Sequence, residues 1–96
     1  MSASEAFPGA LDWERFDDAC KRAEEDRDRA IKAAEAERNR VLNALYRWRA
    51  PGRVRAAAET RYQAKVKRAR DICDKACEAA EAELTTALDH REGKTG

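Results

Sequence analysis

One proline–glycine pair divides this sequence into two long segments that contain neither residue. Pro51 and Gly52 lie near the middle of the 96 residues, and the remaining prolines and glycines lie near the ends: Pro8, Gly9, Gly93 and Gly96. Proline pushes the residue before it out of the helical region, so a helix must end near Ala50. Because a link of about three residues forces neighbouring helices to run antiparallel, the sequence predicts an all-α helical hairpin.

Apolar residues recur every three or four positions in both segments, as expected for helices with one buried face. The pattern predicts a leader at 1–11, helix 1 at about 12–49 with Asp12 as its N-cap, a turn at 50–52, helix 2 at about 53–91 and a tail at 93–96, so that 12–92 form the hairpin. The predicted inward positions of helix 1 are Trp13, Phe16, Cys20, Ala23, Ala30, Ile31, Ala34, Val41, Leu45 and Trp48. Those of helix 2 are Val54, Ala57 or Ala58, Tyr62, Val66, Ala69, Ile72 or Cys73, Ala76, Ala80, Leu84, and Ala87 or Leu88.

Pairing of the two helices about the turn predicts that the numbers of facing residues sum to about 102. Ile31 then faces Ile72, and Phe16 faces Ala87. The seam is an alanine-rich coiled coil in which large side chains mostly meet small ones. A chain of this size buries little surface alone, so we expect a homo-oligomer, a dimer forming a four-helix bundle that covers the remaining apolar edge: Ile31, Leu42, Ile72 and Leu88.

Charge is strongly segregated along the chain. The stretch 47–70 holds nine of the twenty basic residues and a single acid, Glu59, which gives it a charge of +8 in a chain whose net charge is +1. Residues 1–37 sum to −5 and residues 71–96 to −4. One end of the folded rod is therefore predicted to be basic and the other acidic.

The basic stretch supplies the candidate binding residues. Arg53 and Arg55 begin helix 2, where the helix dipole disfavours cations, and they crowd the arginines that end helix 1. Mutual repulsion of this kind indicates an external anion. Trp48 has two interpretations, a hydrophobic plug that closes the hairpin or an aromatic surface on which bases stack. The candidate residues for anion or partner binding are Arg47, Trp48, Arg49, Arg53, Arg55, Arg61, Lys65 and Arg68.

No catalytic, cofactor or metal signal accompanies these residues. The sole histidine, His90, falls in the last turn of helix 2, and no nucleophile has an evident partner, so we expect no enzyme and no cofactor. Cys73 and Cys77 share a helix face, but Cys20 is predicted to face about residue 82, which leaves too few ligands for a metal. Reduced thiols at the seam are the expectation. No apolar run approaches the roughly 20 residues that span a bilayer, so a cytoplasmic location is the default prediction.

A helical hairpin of about 100 residues with Trp48 at its turn, followed by Gly52 and Tyr62, resembles the WXG100 secretion substrates. The Trp-x-Gly motif itself is absent, because three residues separate Trp48 from Gly52, and neither tyrosine is followed four residues later by an acid. The function of that family is therefore not carried over. In shape alone, the expected dimer is similar to small plasmid RNA-binding hairpin proteins.

Together these features favour a non-enzymatic binding module whose basic turn contacts an anionic macromolecule. Nucleic acid, either RNA or DNA, is the leading candidate, and an acidic protein surface is the second. The alternative function is a structural or assembly protein, such as a phage or secretion component, in which the same charges make protein contacts. Binding to unrelated nucleic acid with a steep salt dependence would separate the two.

Overall fold

The structure is a computed structural model that describes residues 9–95, with side chains described for residues 9–91. It contains two helices, α1 (Ala10–Arg47) and α2 (Gly52–Thr95), which pack against each other along their length. Its Cα atoms extend 70 Å along the long axis and only 8 Å through the thinnest, so the helices form one layer. The predicted all-α hairpin is confirmed. Neither helix contains, within the described residues, a stretch apolar enough to cross a bilayer.

The helix ends differ from the sequence prediction by a few residues. Helix α1 begins two residues earlier than predicted, and α2 continues through residues 93–95, which were expected to form a tail. Most of the predicted leader, residues 1–8, lies outside the described part of the chain, as does residue 96. Asp12 is not the N-cap. That position belongs to Gly9, whose carbonyl accepts hydrogen bonds from the backbone N–H groups of Asp12 and Trp13 at 3.0 and 3.1 Å.

Gly9 and Asp12 instead close the open end of the hairpin. Gly9 has a φ of 82°, and a Cβ atom there would lie 3.1 Å from Cδ2 of Leu88, so both backbone conformation and space favour glycine. The Asp12 carboxylate accepts a hydrogen bond of 2.8 Å from Nε of Arg91. Only 15% of the Asp12 side chain is exposed. These two contacts thus hold the N-terminal end of α1 against the C-terminal part of α2.

At the opposite end, α1 terminates in a Schellman motif. The Ala50 N–H donates to the Leu45 carbonyl at 2.9 Å, and the Arg49 N–H donates to the Tyr46 carbonyl at 3.1 Å. This motif requires a left-handed residue just after the helix, which is usually glycine. Here the residue is Arg49, with a φ of 53°, the one non-glycine residue with positive φ in the described chain. The Pro51 carbonyl then accepts from Val54 and starts α2.

The seam between the helices consists mainly of small side chains. The buried residues are Ala10, Ala23, Ala34, Val66, Ala69, Cys73, Ala80 and Leu84, and no side chain in the described part is completely enclosed. Most of the predicted positions are buried or half-buried, and Ala58 and Cys73 are selected over Ala57 and Ile72. Several predicted inward residues are exposed instead: Trp13, Ala30, Val41, Trp48, Val54 and Ala76. The true buried stripe is narrower than predicted because a single partner helix covers only one strip of each surface.

Pairs of residues that contact each other across the seam give the register. The residue numbers of Glu37 and Lys65 sum to 102, those of Asp12 and Arg91 to 103, and those of Glu35 and Tyr62 to 97. The predicted sum of about 102 is therefore met at Glu37–Lys65 and Asp12–Arg91, but at Glu35–Tyr62 it is five residues too high, which is somewhat more than one helical turn.

Arg49→Gly is expected to stabilise the hairpin by about 0.5–1 kcal/mol, because the left-handed conformation costs an arginine more than it costs glycine. For a domain of this size that corresponds to a rise in Tm of roughly 2–8 °C. Thermal unfolding followed by circular dichroism measures it. The control is Arg40→Gly, at an exposed position in the interior of α1, which should lower the Tm. An unchanged or lower Tm for Arg49→Gly would show that the Arg49 side chain makes contacts that offset the strain.

Candidate functional site

The loop between the helices carries a dense set of cations and aromatic rings. We define the basic turn as Arg47, Arg49, Arg53 and Arg55 together with Tyr46 and Trp48. Three of its arginines are exposed, and Arg55 is half-buried. The Schellman motif and Pro51 hold this segment in one short reversal, so side chains from both helices project from the same tip. The tip is the most cationic part of the molecule.

Trp48 is 81% exposed, so the predicted hydrophobic plug is not formed within the single chain. Helical periodicity placed Trp48 on the inward stripe, but α1 ends at Arg47 and the chain reverses direction just after Trp48. Helix α2 therefore leaves the indole uncovered. Tyr46 is also open, with 61% of its surface exposed. Large exposed aromatic side chains on a binding surface commonly contribute stacking or apolar contact.

Arg55 is held in place by Tyr46. Its guanidinium carbon lies 4.8 Å from the centre of the Tyr46 ring, a cation–π contact that joins the first turn of α2 to the last turn of α1. Within residues 9–91, no ion pair is recorded for Arg47, Arg49, Arg53 or Arg55, and the first turn of α2 carries no acidic residue. The positive charge of the turn is therefore not neutralised by described side chains.

The stripe formed by Arg61, Lys65 and Arg68 behaves differently. Lys65 Nζ donates a hydrogen bond to the Glu37 carboxylate of α1. This hydrogen bond and the charge of Lys65 lower the pKa of Glu37, and the charge of Arg61 lowers it by a smaller amount. Within the stretch 47–70 the sequence supplies only one acid, Glu59, but the acid that pairs with Lys65 comes from the facing helix. Arg61, Lys65 and Arg68 are all exposed, but among the described side chains only Lys65 of the three forms an ion pair across the seam.

A polar network beside this pair occupies the seam where the sequence predicted a gap in the apolar stripe. The Arg38 guanidinium carbon lies 4.4 Å from the centre of the Tyr62 ring, and Arg38 Nε is 3.9 Å from Glu59. The Tyr62 hydroxyl lies 3.5 Å from the Glu35 carboxylate. Glu59 is the only acid in the stretch 47–70, and it faces Arg38 rather than the turn arginines. The interruption of the stripe at Arg38 was the sequence signal for this network.

The three cysteines meet at the seam toward the open end. The Cys77 thiol lies against those of Cys20 and Cys73, so the prediction that Cys20 faces about residue 82 is wrong by about one helical turn. Burial raises the pKa of both Cys73 and Cys77, chiefly by disfavouring the thiolate, so these groups are protonated at neutral pH. All three are free thiols. Among the described residues no cluster of histidine, cysteine or acidic side chains has an arrangement that could hold a metal ion.

Comparison with protein-family models, curated proteins and solved structures found no match to this chain. The function must therefore be argued from the residues themselves. The basic turn is the strongest candidate site, since it unites unneutralised cations with exposed aromatic rings.

Lys65→Met is expected to lower the Tm at pH 7, because it removes the partner of the Glu37 carboxylate while retaining an apolar stem. The pKa of Glu37 is lowered in the folded state, so its stabilising effect is present above the usual carboxyl pKa of about 4.3 and disappears as the pH falls through the lowered value. Melting curves at pH 7 and pH 2.5 should therefore show a difference from wild type only at pH 7. Lys67→Met, on an exposed position nearby, is the control. An equal difference at both pH values would show that Lys65 acts through packing.

Proposed function

We propose that this chain is a non-enzymatic helical-hairpin binding module whose basic turn binds single-stranded or looped nucleic acid. The observation that carries the proposal is a set of four arginines without described carboxylate partners around an exposed tryptophan. Phosphates supply the missing negative charge, and counterion release makes such contacts favourable at low salt. A cytoplasmic location, where RNA and DNA are present, fits this function.

Trp48 favours nucleic acid over an acidic protein surface. Its indole is largely exposed next to Arg47 and Arg49, which is the combination used to stack an unpaired base while cations hold the neighbouring phosphates. An acidic protein patch offers carboxylates to the arginines but no unpaired base on which the indole can stack. A double helix hides the faces of its bases, so the site suits single strands and loops.

The backbone at Arg49 supports the same proposal. A non-glycine residue in the left-handed region costs about 1–2 kcal/mol, and strain of this kind collects at functional sites. A glycine would complete the Schellman motif at lower cost. Arg49 is exposed within the turn between the two helices. We therefore assign Arg49 a direct contact with the anion, flanked by Arg47 and Arg53, with Arg55 oriented by Tyr46.

The residues behind the turn have smaller roles in this proposal. Arg61 and Arg68 are exposed and extend the positive surface along α2. Lys65 is engaged with Glu37 and contributes to the seam rather than to the ligand. The binding surface is accordingly concentrated at the tip of the rod and weaker along its side.

The double variant Arg53→Glu/Arg55→Glu is expected to remain folded and to lose most of its affinity for a fluorescently labelled single-stranded RNA or DNA 20-mer. Each lost phosphate contact should also reduce the slope of log K against log salt by about 1. Fluorescence anisotropy at several salt concentrations measures both quantities. Arg22→Glu/Lys32→Glu is the matched control, because it changes the net charge equally at exposed positions away from the turn. Equal weakening by the two variants would mean that net charge alone drives association, and the proposed site would be rejected.

Arg49→Gly separates binding from stability. We expect it to raise the Tm, as argued above, and to weaken oligonucleotide binding about threefold to tenfold, because it removes one charged contact. Arg49→Lys keeps the charge and the strain, so it should bind nearly as the parent does. Anisotropy and thermal melting on the same preparations give both readouts. If the Arg49→Gly variant is more stable and binds as tightly as the parent, then Arg49 is not part of the binding site.

The second candidate function is a structural or assembly protein, such as a phage or secretion component, that uses the same charges for protein contacts. The exposed apolar surface beside the alanine seam favours it, since Ile72 is 60% exposed in a single chain. In that case the four-helix bundle expected from the sequence is the functional unit. A folded, oligomeric protein that binds no oligonucleotide at low salt would put this alternative first.

A further inference from the structure

An apolar groove runs along one face of the hairpin at its middle. It lies between the two helices and is lined mainly by small apolar side chains and Ile72: Ala30, Ala33, Ala69, Ile72 and Ala76. Charged residues also border it: Asp26, Arg27, Glu37, Lys65 and Arg68. Ile72 is the largest of these side chains and remains 60% exposed. The other members of the predicted apolar edge, Ile31, Leu42 and Leu88, are half-buried and are not part of the groove. The groove is therefore the principal uncovered apolar surface near the centre of the rod.

The chain exposes more surface than is usual for its mass, and the excess is about what one partner copy would cover. The surface is 7830 Å² for a mass of 10.8 kDa. A folded monomer of that mass typically exposes about 5,500 Å². The excess of roughly 2,300 Å² is enough for the contribution of one chain to a homodimer interface, since such interfaces bury about 2,000–5,000 Å² in total. A single layer of helices leaves this area open because no second layer covers its face.

We propose that a second copy of this chain docks on the groove face to face, with its turn directed toward the open end of the first. The proposal does not depend on nucleic-acid binding by the basic turn. A parallel arrangement would bring two stretches of charge +8 side by side. An antiparallel arrangement instead places each basic turn beside the acidic helix ends of the other copy, which is electrostatically favourable.

The same arrangement predicts a specific ion pair. A two-fold axis that crosses the groove at Ile72 relates positions of α2 that are equally far from Ile72 on either side. Arg61 lies eleven residues toward the turn, and Glu83 lies eleven residues toward the open end. Both side chains are exposed and border clefts on the groove side of the hairpin. Each Arg61 should therefore lie near Glu83 of the other copy, and the pair occurs twice by symmetry.

Ile72→Glu tests the position of the interface. Sedimentation equilibrium of nuclease-treated protein should show a wild-type dimer and a variant whose dimer dissociation constant is raised roughly a hundredfold or more, because a charge would be buried twice at the two-fold axis. Leu11→Glu is the matched control, since Leu11 is 59% exposed but lies at the end of the hairpin. It should not weaken the dimer, because the added acid lies at the open end, which faces the basic turn of the other copy. A monomeric wild type at all concentrations, or a dimer unaffected by Ile72→Glu, would overturn the proposal.

Charge exchange tests the orientation. Arg61→Glu and Glu83→Arg should each weaken the dimer about threefold to thirtyfold at low salt, because each places two like charges together. The double variant Arg61→Glu/Glu83→Arg should recover most of the wild-type affinity. Circular dichroism confirms that all three variants remain folded. A double variant that is as weak as the sum of the single ones would exclude the antiparallel register and overturn the proposed docking.

Discussion

The close approach of two alanine-rich helix faces is the contact on which the rest of this molecule depends. Alanine lets the helices lie near each other but buries little apolar area, and among the described residues Val66, Cys73 and Leu84 are the buried side chains larger than alanine. A seam of identical small residues also specifies register poorly. The polar contacts across it, Glu37 with Lys65 and Asp12 with Arg91, provide that specificity at two separate levels of the hairpin. Charged groups thus align a core that apolar packing alone would leave free to slide.

The acids nearest to the basic stretch pair with cations in the seam, and this explains why the positive charge of the turn is not neutralised by described side chains. Glu59 and Glu37 could have compensated the basic stretch, but each faces a cation within the seam. The four turn arginines lie beyond the reach of the acidic residues near the chain ends, which are tens of ångströms away along the rod. Charge is consequently balanced over the whole chain and unbalanced at its tip. The strained Arg49 and the open Trp48 occupy that same tip.

The two proposals together describe an assembly with a simple geometry. An antiparallel dimer would carry one basic turn at each end of a body about as long as the 70 Å hairpin. A long nucleic acid could then be contacted at two points, which increases the apparent affinity through effective concentration when the strand spans both sites. The four turn arginines lie outside the apolar groove, so dimerisation leaves them available to the ligand. Arg61 and Arg68 border the dimer face, so ligand and second copy share these two residues.

The sequence by itself determined the all-α hairpin, the location of its reversal and its polarity of charge, because these follow from local rules: proline ends a helix, apolar periodicity sets the buried face, and charge adds along the chain. Tertiary structure decided which helix neighbours meet. It paired Lys65 with Glu37, brought Cys20 to Cys77, and left Trp48 exposed beyond the end of α1. A shift of one turn in the register of two helices, and the backbone conformation of one residue after a helix, both depend on contacts between distant segments. Local sequence patterns do not encode those contacts.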